Sequence, residues 1–140
     1  MMCAVCLAEV GADSGVIDAH TTPTGAICPM SGHEPFVWDE RATRAAVKGR
    51  AGGRCEYCGQ AGTDMHHRVA RGRGGAWSPA NIMLLCRHDH SYFTDHPVLA
   101  YRLGISVRNN RDPARVAVLT KFGQLWLTDD LCPPLPGWAR

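Results

Sequence analysis

From Arg54 to Pro97 the chain reads RCEYCGQAGTDMHHRVARGRGGAWSPANIMLLCRHDHSYFTDHP. This span combines a Cys-x-x-Cys pair, a histidine doublet, an asparagine and a further cysteine and histidine: Cys55, Cys58, His66, His67, Asn81, Cys86 and His90. Cysteine and histidine are residue types that bind metals, and histidine also moves protons near neutral pH. Their concentration in one short span indicates a metal-dependent site.

The histidine doublet suits the hydrolysis of a phosphodiester. Near neutral pH that reaction needs a divalent cation on the phosphate oxygens and a base that activates water. Neutral imidazole binds transition metals, and its ordinary pKa of about 6.5 suits a general base. If His66 and His67 end a strand, their side chains leave on opposite faces. One can then face the metal while the other faces the attacking water, which predicts a nuclease.

The order and spacing of these residues resemble those of the HNH endonuclease family. The resemblance covers residues 54–97 and includes the family's histidine doublet, Gly-rich loop, asparagine and last helical histidine. The family has a ββα-metal motif and often contains a structural zinc. The resemblance therefore implies an α+β fold, built around a small zinc-stabilised domain that hydrolyses DNA.

The resemblance also implies a role for each motif residue. His67 would be the general base, while Asn81 would fix the backbone and orient that base. His66 and His90 would hold the catalytic divalent cation. The cation would be Mg2+, Mn2+ or Ni2+, because imidazole-rich sites accept several metals and phosphate supplies further oxygens.

His96 is a further candidate ligand of the catalytic cation. In relatives a third histidine often follows the last motif histidine along the same helix. Four residues after His90 this chain has Thr94, and His96 stands two residues later. The position of His96 therefore departs from the family pattern.

A structural zinc site is predicted around the first cysteine pair. The family often uses two Cys-x-x-Cys pairs, and here Cys55 and Cys58 form the first. Cys86 opens the second, but Asp89 stands in its last position, where a carboxylate oxygen can also bind zinc. His88 is the alternative fourth ligand. The thiols could instead be packed without metal, since cysteine tolerates burial, although such pairs in a reducing compartment are more often ligands than disulfides.

Charge divides the chain after Glu40. The first forty residues contain six acidic residues and no Lys or Arg, a net charge of −6. Residues 41–140 contain all fifteen Lys and Arg and seven acidic residues, a net charge of +8. Basic side chains gain affinity for nucleic acid by releasing its condensed counterions. DNA is therefore the predicted substrate.

Candidate contacts to the DNA backbone lie on both sides of the doublet. A helix predicted from Asp39 to Gly49 would present basic side chains on its outer face, and glycines in the loop after the doublet would let arginine approach phosphate closely. The candidates are Arg44, Lys48, Arg68, Arg71 and Arg73. The alternative is that these charges are simply solvated, as on most charged helices and exposed turns.

The N-terminal segment contains a second metal-like set, Cys3, Cys6, His20 and Cys28, with His33 as an alternative ligand. It resembles short zinc-ribbon-like leaders of actinobacterial and phage proteins, which implies a Cys3His zinc-knuckle module. A segment with so few large apolar side chains needs metal as a source of order. The alternative is a disordered acidic leader. Because the segment lacks Lys and Arg, we expect it to contact a protein partner or to cap the nuclease domain rather than to bind DNA.

Further elements are predicted on either side of His90 and near the C-terminus. A helix from about Arg87 to Asp95 would carry His90 inward, and Pro97 marks its end. Two apolar runs, Val116 to Leu119 and Leu125 to Leu127, predict a β-hairpin. The expected segments are a zinc-knuckle module at 1–38, an HNH nuclease domain at 39–104, and a β-hairpin with a Pro-rich tail at 105–140.

The sequence also bears on location and partners. No apolar run approaches the roughly 20 residues that span a bilayer, and the N-terminus lacks a basic, hydrophobic signal sequence. A cytoplasmic protein is expected, in the host cytoplasm if it is bacteriophage-encoded, and the family suggests phage packaging machinery as a partner. One other function remains open, a non-catalytic zinc-stabilised module that binds DNA or protein, because fold alone does not confer activity.

Overall fold

A computed structural model describes residues 37–131 and, before them, the single residues Glu9, Gly11, Asp18, His20, Thr21, Thr24 and Gly25. The chain divides into two compact units, one of Asp39–Asp129 and one of Met1–Trp38 with Asp130–Arg140. None of the helices in the described part has the length and apolar character needed to cross a membrane.

The unit that contains the N-terminus holds the predicted zinc-knuckle ligands. Cys3, Cys6 and Cys28 lie outside the described residues. His20 is described, and its Nδ1 lies 2.8 Å from the backbone oxygen of Asp18. The zinc-knuckle module therefore stays a prediction.

The unit 39–129 begins with helix α1, Glu40–Ala51. The Asp39 side chain caps it by accepting a hydrogen bond from the backbone N–H of Ala42 at 2.8 Å. The helix ends at Gly52, whose φ of 61° is a left-handed conformation that glycine adopts without strain. The predicted end at Gly49 is therefore too early, because Gly49 keeps helical geometry and Gly52 supplies the turn.

Two short antiparallel strands follow, β1 (Asp64–His67) and β2 (Ile82–Leu85). His67 pairs with Ile82 and Asp64 with Leu85. A Gly-rich loop joins the strands and includes a 3-10 turn at Arg71–Arg73. Because side chains alternate along a strand, residues 64 and 66 share one face of β1 and residues 65 and 67 the other.

Helix α2 (Arg87–Asp95) starts directly after β2, and α3 (Pro97–Arg102) follows it. The chain order is thus strand, strand, helix, and α2 brings His90 to β1. Further along, β3 (Val118–Thr120) pairs with β4 (Gly123–Leu125) in a second antiparallel sheet. The described fold is therefore a small α+β structure with short helices and two small sheets.

One apolar cluster joins these elements. Met83 and Leu85 of β2 pack in it with Phe93 of α2, and Ile105 and Leu127 from later in the chain belong to the same cluster. Met83, Leu85, Ile105 and Leu127 have no solvent exposure. Residues from 105 to 129 thus pack with the elements before them, across the expected segment boundary at 104.

Arg68, directly after β1, is only 1% exposed. Its guanidinium donates hydrogen bonds to four backbone oxygens, those of Gly104, Ala80, Pro113 and Val116. Burial lowers its pKa to about 10, so the group stays charged at neutral pH. This corrects the expectation that Arg68 contacts the DNA backbone, since its donors are already used to join distant segments.

Candidate active site

His66 and His67 end β1 and meet different neighbours. The His66 ring lies 5.3 Å from the His90 ring, measured between centroids, with an angle of 71° between the planes. The His67 ring lies 4.5 Å from the Trp77 ring at 77°. The alternation of side chains along the strand explains this separation. The site therefore has two sides, one around His66 and one around His67.

On the side around His66, hydrogen bonds fix the imidazoles of His66 and His90. The Nε2 of His66 lies 2.8 Å from the backbone oxygen of Ile105, which can only accept, so this nitrogen donates. The Nδ1 of His90 lies 2.8 Å from Oδ2 of Asp64 and donates to that carboxylate. In the neutral form of each ring the lone pair is then on Nδ1 of His66 and on Nε2 of His90. Metal-binding histidines are oriented by bonds of this kind, so both residues fit a cation site.

The protonation states on this side also suit metal binding. Burial lowers the pKa of His66 to about 4, although its hydrogen bond to Ile105 opposes the shift. A neutral imidazole at pH 7 has its lone pair available to a metal. The hydrogen bond from His90 lowers the pKa of Asp64, against the effect of burial, and Arg87 contributes through a contact of 3.1 Å. Asp64 is therefore ionised and holds His90 in one tautomer.

Asp64 was not identified from the sequence. The sequence feature that could have identified Asp64 is its position two residues before His66, because side chains two residues apart lie on the same face of a strand. The sequence alone does not reveal that α2 carries His90 to that face.

On the second side, the His67 ring is partly enclosed. Its Nε2 is buried and has no hydrogen-bond partner among the described residues. Burial lowers the pKa of His67, and the nearby Arg71 lowers it further. The ring is therefore neutral at pH 7. With Nε2 enclosed, Nδ1 is the ring nitrogen open to a water molecule.

Asn81 fastens the loop that joins β1 and β2. It is 2% exposed, and its side-chain oxygen accepts from the backbone N–H of Val69 at 2.8 Å. Its amide nitrogen donates to the backbone oxygens of Val69 at 3.2 Å and Ala76 at 3.0 Å. Its own backbone oxygen accepts from the N–H of Arg68 at 2.8 Å. These bonds hold the chain immediately after His67.

His96 lies at the end of α2 and is exposed. Its Nδ1 is 2.7 Å from the backbone oxygen of Tyr92, and its ring stacks on the Tyr92 ring with 4.1 Å between centroids. The structure thus pairs His96 with Tyr92, whereas it brings His66 and His90 together.

A separate cluster contains the predicted zinc ligands Cys55, Cys58, Cys86 and Asp89, whose ligand atoms all lie within 4.8 Å of one another. The Sγ of Cys55 is 3.3 Å from Oδ2 of Asp89, and the Sγ atoms of Cys58 and Cys86 are 3.8 Å apart. This donor set fits one tetrahedral ion with bonds of about 2.0–2.3 Å. His88 is exposed and stacks on Tyr92, so Asp89 completes the cluster.

The protonation of the cluster is typical of a site that exchanges protons for metal. Burial raises the pKa of Cys58 to about 12, with a hydrogen bond to Asp89 adding to the shift, and burial also raises the pKa of Cys86. Burial raises the pKa of Asp89 as well, but hydrogen bonds from the thiols outweigh it and the net shift is downward. A metal ion would displace the thiol protons on binding.

The remaining candidate phosphate contacts are exposed. Arg71 and Arg73 lie on the 3-10 turn of the Gly-rich loop, and Arg44 and Lys48 lie on α1. Arg44 is also 4.8 Å from the centroid of the Trp77 ring, which brings the basic face of α1 to this loop. The exposed basic groups therefore lie on the elements that border His67.

Comparisons with known proteins bear on one part of the chain. The family model for HNH endonuclease matches residues 55–95. That segment contains the histidine doublet, Asn81, His90 and the cysteine and aspartate cluster. No curated protein and no solved structure matches the chain. Residues 55–95 are thus similar to the HNH endonuclease family, and this match supports that family for the protein.

Proposed function

We propose that this protein is a metal-dependent HNH endonuclease that hydrolyses phosphodiester bonds in DNA. The observation that carries the proposal is that His66 and His67, adjacent at the end of β1, meet different neighbours on opposite faces of the strand. The rings of His66 and His90 lie 5.3 Å apart and each has one ring nitrogen hydrogen-bonded to the protein, while the His67 ring packs against Trp77 and burial lowers its pKa. The family match to residues 55–95 supports nuclease chemistry in general.

His67 is the general base in this proposal. Its Nδ1 takes a proton from water, the water oxygen forms a bond to phosphorus, and the bond from phosphorus to the leaving oxygen breaks. His66 and His90 would hold a divalent cation, which supplies charge stabilisation to the phosphate and the leaving oxygen. Asp64 keeps His90 oriented, and Asn81 keeps the backbone beside His67 in place.

The Cys3Asp cluster is proposed to bind structural zinc. Cys55 and Cys58 precede β1, whereas Cys86 and Asp89 lie at the start of α2. An ion shared by these residues would fix α2 against the segment before β1. Because α2 carries His90 and β1 carries His66, the zinc would stabilise the geometry of the catalytic site.

The proposed DNA-binding surface consists of Arg44, Lys48, Arg71 and Arg73. These exposed basic groups belong to a region of net positive charge, and their contact with phosphate would weaken as salt rises. The acidic segment 1–38 is proposed to be a zinc-knuckle module with Cys3, Cys6, His20 and Cys28 as ligands. Its net negative charge favours a protein partner over DNA.

The test is conversion of supercoiled plasmid to nicked or linear DNA. Zinc-loaded protein is stripped of weakly bound cations and assayed with Mg2+, Mn2+ or Ni2+, beside the variants His66→Ala and His90→Ala. Metal-dependent conversion by the wild type, lost in both variants, is the expected result. Tight DNA binding without conversion under any metal would instead favour a non-catalytic binding module.

A further inference from the structure

Trp77 has no role in the proposed reaction described above. It lies in the Gly-rich loop, and its ring packs against the buried cluster of Val47, Ile82 and Leu84. The same ring meets His67 edge to face, with 4.5 Å between centroids. Trp77 is therefore anchored on the apolar core and touches the proposed base.

Helix α1 restrains the indole from a second direction. The guanidinium carbon of Arg44 lies 4.8 Å from the centroid of the Trp77 ring, a distance at which a cation is attracted to an aromatic face. Glu40 holds Arg44 through hydrogen bonds of 3.0 and 2.8 Å. The ring that touches His67 is thus held by both the core and α1.

The three histidines of the site are held in different ways. His66 and His90 are each fixed by a hydrogen bond, to the backbone oxygen of Ile105 and to Asp64 respectively. For His67 the enclosed Nε2 has no such partner within the described part of the chain, and the same is true of the buried Nε1 of Trp77. The orientation of the His67 ring therefore depends on packing.

Orientation is decisive for a general base, because its nitrogen must lie within hydrogen-bond reach of the proton that it removes. A half-turn of the His67 ring about its bond to Cβ would place a ring carbon where each ring nitrogen now lies. The edge-to-face contact disfavours that rotation, since such aromatic pairs have preferred geometries.

We propose that Trp77 is the positioning residue of the general base, and that its indole, held by Arg44 and the core, keeps Nδ1 of His67 directed at the attacking water. This inference rests on the proposed nuclease function. Trp77 acts through His67, so its loss should lower kcat and leave KM nearly unchanged.

The kinetic test compares Trp77→Leu, Trp77→Phe and Trp126→Ala with wild type. Leucine keeps apolar volume on the core but removes the aromatic ring, and phenylalanine restores one. Trp126 is a 55% exposed tryptophan outside the site and serves as the matched control. We expect Trp77→Leu to lower kcat by about 10- to 100-fold, Trp77→Phe to recover most of it, and Trp126→Ala to keep wild-type kcat.

A spectroscopic test needs no activity. The imidazole C–H resonances of His67, assigned by their loss in His67→Ala, should be shifted by the indole ring current and should move toward ordinary values in Trp77→Leu. Unshifted His67 resonances in wild type would overturn the contact. Shifted resonances with full kcat in Trp77→Leu would overturn the positioning role alone. A wild type that shows the shift but cleaves nothing with any cation would overturn the nuclease function, and the role of Trp77 with it.

Discussion

The carboxylate of Asp64 accepts a hydrogen bond from His90, with 2.8 Å between Oδ2 and Nδ1. This bond joins β1 to α2 at the proposed cation site, and Arg87 contacts the same oxygen at 3.1 Å. Asp64 thus links the strand that carries His66 to the helix that carries His90. Support of this kind sets the orientation and basicity of a metal-binding imidazole.

Replacing Asp64 with asparagine should therefore weaken the cation site. Asp64→Asn keeps the size of the side chain but removes its charge, and we expect affinity for Mn2+ to fall by about 10- to 100-fold. Titration calorimetry on zinc-loaded protein measures this affinity. The control is Asp112→Asn, an exposed carboxylate whose nearest cationic partner is Arg115 at 3.9 Å. Equal Mn2+ affinity in Asp64→Asn and wild type would refute the supporting role.

The proposed zinc site can be tested by comparing two neighbouring residues. Asp89 lies in the cluster, whereas His88 is exposed beside Tyr92. We expect Asp89→Ala to lower the zinc content of the protein, measured by elemental analysis after dialysis against a mild chelator. His88→Ala should retain the wild-type content. The reverse pattern would assign the fourth ligand to His88.

Arg68 and Arg71 should differ in what their loss impairs. Arg68→Met leaves four backbone oxygens without their donor, two of them buried and two partly buried, so we expect a loss of about 3 kcal/mol or more in the free energy of unfolding. Arg71→Ala removes an exposed group and should change stability by less than about 0.5 kcal/mol. Urea unfolding measures both values.

DNA binding should also distinguish Arg68 from Arg71. Arg71→Ala should lower DNA affinity and reduce the slope of log K against log salt by about 1, whereas a folded Arg68→Lys variant should keep the wild-type slope. Fluorescence anisotropy with a short duplex at several salt concentrations measures the slope. An unchanged slope in Arg71→Ala would remove this residue from the proposed DNA-binding surface.

The depressed pKa of His66 predicts a pH dependence of stability. Its pKa is about 4 in the folded protein and about 6.5 in the unfolded chain. Above pH 6.5 the ring is neutral in both states. As pH falls from 6.5 toward 4, only the unfolded chain takes up this proton, so the folded state loses about 2 kcal/mol by pH 5.

Urea unfolding between pH 7.5 and 5 tests this dependence, without added catalytic cation. His66→Gln cannot titrate but keeps a side-chain N–H for the backbone oxygen of Ile105, so its stability should fall less steeply with acid. Parallel pH profiles for the two proteins would show that His66 does not titrate as proposed.

Local patterns in the sequence predicted part of this architecture. A doublet at a strand end is expected to have its two side chains on opposite faces, and His66 and His67 do end β1. A helix is predicted to begin at Asp39, and Asp39 is the N-cap of α1. The cysteine spacing identified the cluster completed by Asp89. In each case the residues that define the feature are close in sequence or belong to a regular motif.

Long-range contacts were not predictable in the same way. Arg68 looks like an exposed loop arginine, but its partners Pro113 and Val116 lie 45 and 48 residues away. Trp77 is ten residues from His67 and carries no motif that marks their contact. Burial of a charged group, or pairing of two rings, depends on how the loop folds back, and no local spacing encodes it.

In the proposed mechanism His67 is the base, while His66 and His90 hold the cation. These roles are tested by single-turnover cleavage of supercoiled plasmid by wild type and His67→Ala, with Mn2+ at saturation and Mn2+ binding measured in parallel. We expect a rate reduced by about 100- to 10,000-fold in His67→Ala, with Mn2+ affinity and zinc content unchanged. Equal cleavage rates in the two proteins would contradict the assignment of the base.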